Sequence, residues 1–259
     1  MTMSNAKAHF ERTTFETSRA SEYFTAEGLT KLTEQSAENF GDVVIKELGD
    51  NALDAAETAR IVPELLISCG RRRGLSEISI SDNGDGIPPT TVESMQNFST
   101  LTSDKAHYRT PTRGAQRNAL KTIIGIPHAL GIGGEPVIIE GRGLRHTIKP
   151  VIDAAGVPRL PRKVETIERA KGTKVTVPLP ASPDLIDLDP TYWAKAFALF
   201  NAHGFIKLEQ FGGGTDMVTR SRNRSNLMNR PRQSPHRSAS ICPTTGVART
   251  GTTSLRSAR

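Results

Sequence analysis

The sequence predicts an α+β fold arranged as a two-layer sandwich. Helical patterns occupy the first part of the chain, whereas short alternating segments dominate the later part. Helices followed by a run of strands are typical of a mixed, mostly antiparallel sheet with helices on one face. With 259 residues, of which 36% are hydrophobic, the chain can form one large domain with extensions, and no internal repeat is evident.

Local patterns place the elements along the chain. Helices are expected near residues 18–34, 36–60, 89–97, 114–125 and 193–200. Strands are expected near residues 75–81, 137–141, 145–149, 174–177 and 205–210. We expect residues 1–17 to form a flexible N-terminal strap, residues 18–211 the folded domain and residues 212–259 a disordered tail.

Residues 36–60 have the pattern of an amphipathic helix with a short polar stripe. At about 100° per residue, Glu47, Asn51 and Asp54 fall within roughly 60° of arc. Small and apolar residues occupy the opposite arc: Val44, Ile45, Leu48, Ala52, Ala55, Ala56 and Ala59. Asparagine is unfavourable inside a helix, and a role for its side-chain oxygen, such as holding Mg²⁺ beside phosphates, would explain it. An ordinary amphipathic helix that tolerates one asparagine is the alternative.

Residues 78–81 alternate in polarity and include β-branched side chains, so they predict a strand that runs into a glycine-rich turn. Gly84 and Gly86 permit positive φ angles and a close approach of backbone to a ligand. Asp82, at the strand end, could accept a hydrogen bond from an exocyclic amine such as that of adenine, and Ile87 could pack on the ring. Taken alone, the segment also fits an ordinary hairpin turn.

Together, the helix and the turn resemble the N box and the first glycine box of the GHKL (Bergerat-fold) ATPases. More narrowly, the chain resembles the ATPase domain in the B subunit of DNA topoisomerase VI. Weaker matches to the same group occur at residues 18–24, 102–105, 113–116, 171–177 and 200–204. The resemblance covers about residues 10–211 and implies that residues 18–211 form a GHKL ATP-binding domain with the two-layer GHKL fold.

The resemblance implies a role for each matched position. Glu47 would be the general base that activates water, and Asn51 would coordinate Mg²⁺. Asp82 would bind the adenine amine, while Asp54 and Thr173 would assist through water.

Further matched positions would enclose the rest of the nucleotide. Gly84, Gly86 and Ile87 would shape the adenine side. The lid and the second glycine box would close over the phosphates through Lys105, Gly114, Gln116 and Asn118. Backbone N–H groups at a helix start suit anions, because the helix dipole favours negative charge there.

The second glycine box departs from the family pattern. The family usually has a glycine where Arg117 or Asn118 stands in this sequence. The Arg117 side chain could block a close backbone approach to the phosphates, or it could add a positive charge to them. Two alternatives to an active ATPase therefore stay open: an ATP-sensing interaction module that does not hydrolyse ATP, and an inactive truncated fragment.

The function implied by the resemblance is Mg²⁺-dependent ATP binding with lid closure and slow hydrolysis. ATP would act as a switch that drives homodimer formation. DNA, or a topoisomerase-like partner subunit, would be a further partner. We expect no strand passage by this chain alone, because it contains neither a transducer domain nor a tyrosine-bearing cleavage subunit.

Composition points to a cytoplasmic protein. No apolar run approaches the roughly 18 residues of a membrane span, and the N-terminus lacks a signal-peptide pattern. The two cysteines, Cys69 and Cys242, lie far apart and form no metal-binding motif. A reducing compartment is therefore expected.

The basic character of the chain belongs to its C-terminal stretch. From Arg220 onward there are nine arginines and no Asp, Glu or Lys, so with a formal charge of +7 overall the preceding 219 residues carry −2. The stretch is rich in Ser, Thr, Asn and Pro, a composition typical of disorder. Its arginines could bind nucleic-acid phosphates without sequence preference. A solvated linker, or a non-native end, is the interpretation we favour.

Overall fold

An eight-stranded mixed sheet forms one layer of the protein. The computed structural model describes residues 19–95, 98, 119–154, 156–181, 188–211 and 217–220. The strands are β1 Glu64–Arg72, β2 Leu75–Ser81, β3 Val137–Gly141, β4 Leu144–Ile148, β5 Val151–Ile152, β6 Pro158–Arg159, β7 Arg162–Thr166, β8 Thr173–Pro180, β9 Phe205–Phe211 and β10 Met217–Arg220. The sheet order is β10-β9-β1-β2-β8-β3-β4-β7, and β5 pairs separately with β6. Only β1 and β9 run parallel among the described pairs.

Helices form the second layer. They are α1 Ala26–Thr33, α2 Phe40–Ala59, α3 Pro89–Ser94, α4 Ala119–Ala129 and α5 Pro190–Phe200, with 3₁₀ helices at Arg19–Phe24 and Ala37–Asn39. The alternating apolar residues of the central strands, such as Ile78 and Ile80, are buried in the core between the layers. The predicted two-layer α+β fold with a mostly antiparallel sheet is thus confirmed. No helix of the described part is both long and apolar enough to cross a membrane.

Most of the predicted elements have their counterparts. The strand predicted over residues 75–81 is β2, with the same bounds. The helix predicted over 18–34 is divided, because Thr25 adopts an extended conformation (φ −121°) and caps α1 by accepting a hydrogen bond from the Gly28 N–H. In the helix predicted over 114–125, the part described begins at Ala119 and continues to Ala129.

The sequence patterns missed β1, β5, β6, β7 and β10. Strand β7 is an exposed edge strand with the sequence RKVET, so it lacks the apolar alternation that marks a buried strand. Strand β10 pairs antiparallel with β9 and lies beyond residue 211, within the stretch that we expected to be a tail. The three domain boundaries stay predictions.

Helix α2 is buried on more sides than its amphipathic pattern indicates. It contacts β1, β2 and β8 of the sheet and also α4 and α5. A side chain at Gly49 would lie 2.2 Å from the Phe197 ring of α5, so the two helices meet there without room for a methyl group. The Trp193 Nε1–H of α5 donates to Asp42 at 2.8 Å. Asp54, which belongs to the predicted polar stripe, is buried, and so is Asp50, one turn earlier on the helix.

Candidate functional site

A cleft of about 710 Å³ opens between α2, the turn after β2, the turn between β3 and β4, and the start of β8. Five of the predicted site residues line it: Asn51, Asp82, Gly86, Ile87 and Thr173. Much of the remaining wall is apolar and comes from Leu48, Ala52, Ala55, Ile80 and Val175. The prediction that Leu48, Ala52 and Ala55 lie on the arc of α2 opposite Asn51 is therefore wrong, since all four residues line one cleft. An apolar cleft with a few converging polar groups is typical of a small-molecule site and suits a flat aromatic ring.

The Asp82 carboxylate is held by backbone N–H groups from two separate segments. Its Oδ1 accepts from the Gly84 N–H at 2.8 Å and from the Thr173 N–H at 3.1 Å. Both bonds use one oxygen, and a carboxylate has two oxygens with about four acceptor sites in all. The side chain is therefore oriented by the backbone while it retains the capacity to accept a hydrogen bond from a ligand.

Burial raises the pKa of Asp82 above its ordinary value. The hydrogen bonds from the Thr173 and Gly84 N–H groups act in the opposite direction, as does the positive charge of Arg169. Arg169 itself is fixed by the buried Glu140, whose Oε2 lies 3.7 Å from the Arg169 Nε, and it donates to the Ser81 hydroxyl. The cleft thus contains a partly desolvated carboxylate.

The loop before β8 closes tightly on the glycine turn. Gly172 donates to the Gly84 carbonyl at 2.7 Å, and Ile87 donates its N–H to the Thr173 Oγ1 at 3.1 Å. Gly172 has a φ of +71°, and a Cβ there would lie 2.0 Å from the Asp82 carbonyl oxygen. Only glycine fits this contact, on both conformational and steric grounds.

On α2, Asn51 faces the cleft while Glu47, one turn earlier, is ion-paired. The Lys46 Nζ lies 3.0 Å from the Glu47 Oε1 and 3.3 Å from the Asp50 Oδ2. Glu47 does not line the cleft, although its side chain is still 21% exposed. Both negative partners raise the pKa of Lys46, against the lowering effect of burial, so Lys46 stays charged.

The donors at the cleft fit a magnesium ion that is brought in with phosphates. The described residues contain no group of three or more His, Cys, Asp or Glu side chains that could hold a metal by themselves. Mg²⁺ usually keeps several waters and takes one or two protein ligands plus phosphate oxygens. The single carboxamide of Asn51 is sufficient for such a site.

The chain is similar in sequence to several curated proteins. The B subunit of type 2 DNA topoisomerase 6 from Halobacterium salinarum is 27% identical over 181 residues, which is 65% of this chain and 22% of that protein. Its counterpart from Natronomonas pharaonis is 28% identical over 137 residues (51% and 17%). The DNA mismatch repair protein MutL from Lactobacillus delbrueckii is 31% identical over 137 residues (52% and 18%). No protein-family model matches.

The chain resembles a GHKL ATPase domain. The sequence prediction of this resemblance is confirmed, because MutL and the topoisomerase 6 B protein both contain such a domain. The chain spans about a fifth of the length of these curated relatives. Among solved structures, the topoisomerase IV ATP-binding domain of Francisella tularensis, in complex with a small-molecule inhibitor, has a TM-score of 0.40 and 14% identity, covering 73% of this chain and 90% of that one.

Two predicted GHKL positions lie beside the cleft rather than on its wall. Asp54 is buried on α2, and its backbone carbonyl accepts from the Thr58 hydroxyl at 2.8 Å. Gly84 packs against α2, since a Cβ there would lie 2.9 Å from the Ala55 Cβ. Gly84 therefore brings the turn close to the helix, and its N–H orients Asp82. The roles that we assigned to Asp54 and Gly84 stay predictions.

Four predicted phosphate-side residues lie outside the described residues: Lys105, Gly114, Gln116 and Asn118. Arg117, the departure from the GHKL pattern, also lies outside them. Their roles stay predictions.

Arg142 was not among the predicted site residues, but it lines the cleft from the turn between β3 and β4. Its Nε donates to the Gly86 carbonyl at 3.0 Å and lies 3.4 Å from the Asp85 carbonyl. The only local signal was the pair Arg142-Gly143 between two predicted strands, which marks a turn but not a site.

Proposed function

We propose that this chain is a GHKL-type ATP-binding domain that binds ATP with Mg²⁺ in the cleft and hydrolyses it slowly. The observation that carries the proposal is the Asp82 carboxylate, which the N–H groups of Gly84 and Thr173 orient at an apolar cleft. An oriented acceptor in the wall of a mostly apolar cleft is complementary to the exocyclic amine of adenine. Guanine carries an oxygen at the corresponding position, which the carboxylate would repel.

Two residues of α2, and four residues between positions 105 and 118, have the remaining proposed roles. Asn51 would hold Mg²⁺ through its side-chain oxygen, and Mg²⁺ would neutralise charge on the phosphates. Glu47 would orient a water molecule and accept its proton during attack on the terminal phosphate. Lys105, Gly114, Gln116 and Asn118 would close over the phosphates.

A second candidate function is ATP sensing without turnover. The ion pair between Lys46 and Glu47 favours it, because the pair engages the Glu47 carboxylate with a lysine and neither residue lines the cleft. The nucleotide would then act only as a ligand that stabilises one conformation. The two candidates share the adenine site and differ at Glu47.

At the level of assembly, we propose that ATP binding drives formation of a homodimer and that hydrolysis resets it. DNA, or a topoisomerase-like partner subunit, is the proposed larger partner, by analogy with the topoisomerase and mismatch-repair relatives. Sedimentation of the protein with and without a non-hydrolysable ATP analogue tests the switch. A sedimentation coefficient that does not change would contradict it.

The adenine site is tested by the Asp82→Asn variant with calorimetric titration of ATP and GTP. We expect wild type to prefer ATP, and the variant to lose at least about tenfold in ATP affinity, because the amide replaces a charge-assisted acceptor. Asp153→Asn is the matched control, since Asp153 also accepts a backbone N–H in a turn (from Val157, at 2.8 Å) but lies outside the cleft lining. Equal ATP affinities of wild type and Asp82→Asn would overturn the proposal.

A further inference from the structure

Arg142 occupies a strained backbone position in the two-residue turn between β3 and β4. Its φ is +50° and that of Gly143 is +78°, the pattern of a type I′ turn. Two residues outside the turn hold its backbone. The Gly143 N–H donates to the Arg169 carbonyl at 2.5 Å, and the Gly143 carbonyl accepts from the Ile167 N–H at 2.8 Å. A non-glycine residue at positive φ costs free energy, and an Asn or Gly would avoid most of that cost.

The stem of Arg142 is packed against the glycine turn of the cleft. A Cβ at Gly86 would lie 3.1 Å from both the Cγ and the backbone nitrogen of Arg142, so glycine leaves room for the arginine. The Nε donates to the Gly86 carbonyl at 3.0 Å. These contacts fix the direction of the side chain at the rim of the cleft.

The guanidinium group has no acidic partner within the described part of the chain. Arg142 is exposed, and its side-chain hydrogen bonds run from Nε to two backbone carbonyls. Its two Nη groups, and the flat face of the guanidinium, are therefore available at a cleft that the residue lines. A planar cation of this kind stacks on aromatic rings.

We propose that Arg142 binds the base of the nucleotide by laying its guanidinium over the adenine ring at the open rim of the cleft. This inference rests on the proposed function. The carbonyls that Arg142 contacts belong to the turn that starts at Asp82, which is the base end of the site, whereas Asn51 marks the phosphate end. Arg142 therefore contributes to recognition of the base and not of the phosphates.

The test is titration of wild type, Arg142→Ala and Arg142→Lys with adenosine, ADP and ATP. We expect Arg142→Ala to lose roughly two- to fivefold in affinity for all three ligands, because the lost contact is with the base that they share. Arg142→Lys should have an affinity between those of Arg142→Ala and wild type, since lysine keeps the positive charge but lacks the planar guanidinium group.

Arg73→Ala is the matched control. Arg73 has a φ of +53° and precedes Gly74 at +79°, so it occupies the same turn geometry between β1 and β2, but it does not line the cleft. We expect Arg73→Ala to leave all three affinities unchanged. Melting temperatures without ligand separate a purely structural role of Arg142 from a binding role.

Two results would overturn the inference: a loss that grows with the number of phosphates, or a lower melting temperature with unchanged affinities. Failure of the proposed function looks different. In that case wild type would not bind adenine nucleotides, or Asp82→Asn would bind them as wild type does. If Asp82→Asn weakens binding and Arg142→Ala does not, the adenine site stands and only the role of Arg142 is rejected.

Discussion

Asp82 and Thr173 exchange two hydrogen bonds although 91 residues separate them in the sequence. The Asp82 N–H donates to the Thr173 carbonyl at 2.9 Å, and the Thr173 N–H donates to the Asp82 Oδ1 at 3.1 Å. The first bond continues the β2–β8 pairing beyond Ser81, and the second orients the carboxylate. The part of the cleft around Asp82 is therefore complete only when β8 lies beside β2.

Asp82→Asn should not destabilise the protein at neutral pH, although it removes the carboxylate that we propose to bind adenine. Burial raises the pKa of Asp82 above its ordinary value, so the side chain is protonated more easily in the folded than in the unfolded chain. A group of this kind contributes stability below its unfolded pKa and loses that contribution as pH rises through its folded pKa. Since asparagine does not titrate and keeps one acceptor oxygen, we expect the free energy of unfolding of the variant at pH 7 to equal or exceed that of wild type.

Chemical denaturation from pH 4 to pH 8 measures this difference. The advantage of Asp82→Asn should be smallest at the acidic end and should grow as pH rises, because only wild type acquires a buried charge. A variant that is clearly less stable than wild type at pH 7 contradicts the expectation.

Gly172→Ala should destabilise the fold strongly. At φ +71° an alanine is strained by about 1 kcal/mol, and its Cβ would lie 2.0 Å from the Asp82 carbonyl oxygen. The clash forces the loop away from the glycine turn, so we expect a total loss of roughly 3 kcal/mol or more. Urea denaturation measures it.

Gly74→Ala is the matched control for this substitution. Gly74 also has a positive φ, of +79°, but its Cβ position has no neighbouring atom within 4 Å. It should show only the conformational cost of about 1 kcal/mol. Equal losses for the two variants would mean that the contact between Gly172 and Asp82 is not required.

Thr173→Val should weaken both the fold and adenine binding. The Thr173 hydroxyl accepts the Ile87 N–H at 3.1 Å, and valine, which has the same shape, leaves that donor unpaired. We expect a loss of about 1–2 kcal/mol in the free energy of unfolding and a lower affinity for adenosine. Thr173→Ser keeps the acceptor and should retain most of both, so a serine variant as impaired as the valine variant would rule out the hydrogen bond as the cause.

Glu47→Gln distinguishes the two candidate functions. If Glu47 is the general base, turnover of ATP should fall by at least about 100-fold while ATP affinity is retained, because the amide cannot accept the proton of water. Steady-state ATPase assays combined with calorimetric titration measure both quantities. Turnover equal to that of wild type excludes Glu47 as the base, and a wild type with no measurable turnover supports the ATP-sensing function.

Cys69 should be inert towards thiol reagents in the folded protein. It is a free, buried thiol on β1, and burial raises its pKa to about 12. Thiolate is the reactive form, so almost none is present at pH 8. A Cys242→Ser variant isolates this residue. Rapid labelling of that variant by a disulfide reagent without denaturant would show that β1 is not packed as described.

Short-range patterns were sufficient for much of the site. Asp82 and Gly86 belong to a glycine-rich turn after a clear strand, and Asn51 is unusual within its helix, so these three residues of the cleft lining could be predicted from their neighbours in sequence. Thr173 was identified only through the resemblance to GHKL ATPases. Arg142 was missed, because its sequence context shows a turn and contains no sign that the turn faces Gly86.

Local sequence specifies the two-layer fold class and the geometry of the glycine turn, because periodicity and backbone preference act over a few residues. Which distant groups meet is specified by the tertiary arrangement. The order of strands places Thr173 beside Asp82 and Arg142 at the cleft rim. Packing of α2 on several sides buries Asp50 and Asp54. These contacts depend on sheet pairing between remote segments, and no local pattern encodes them.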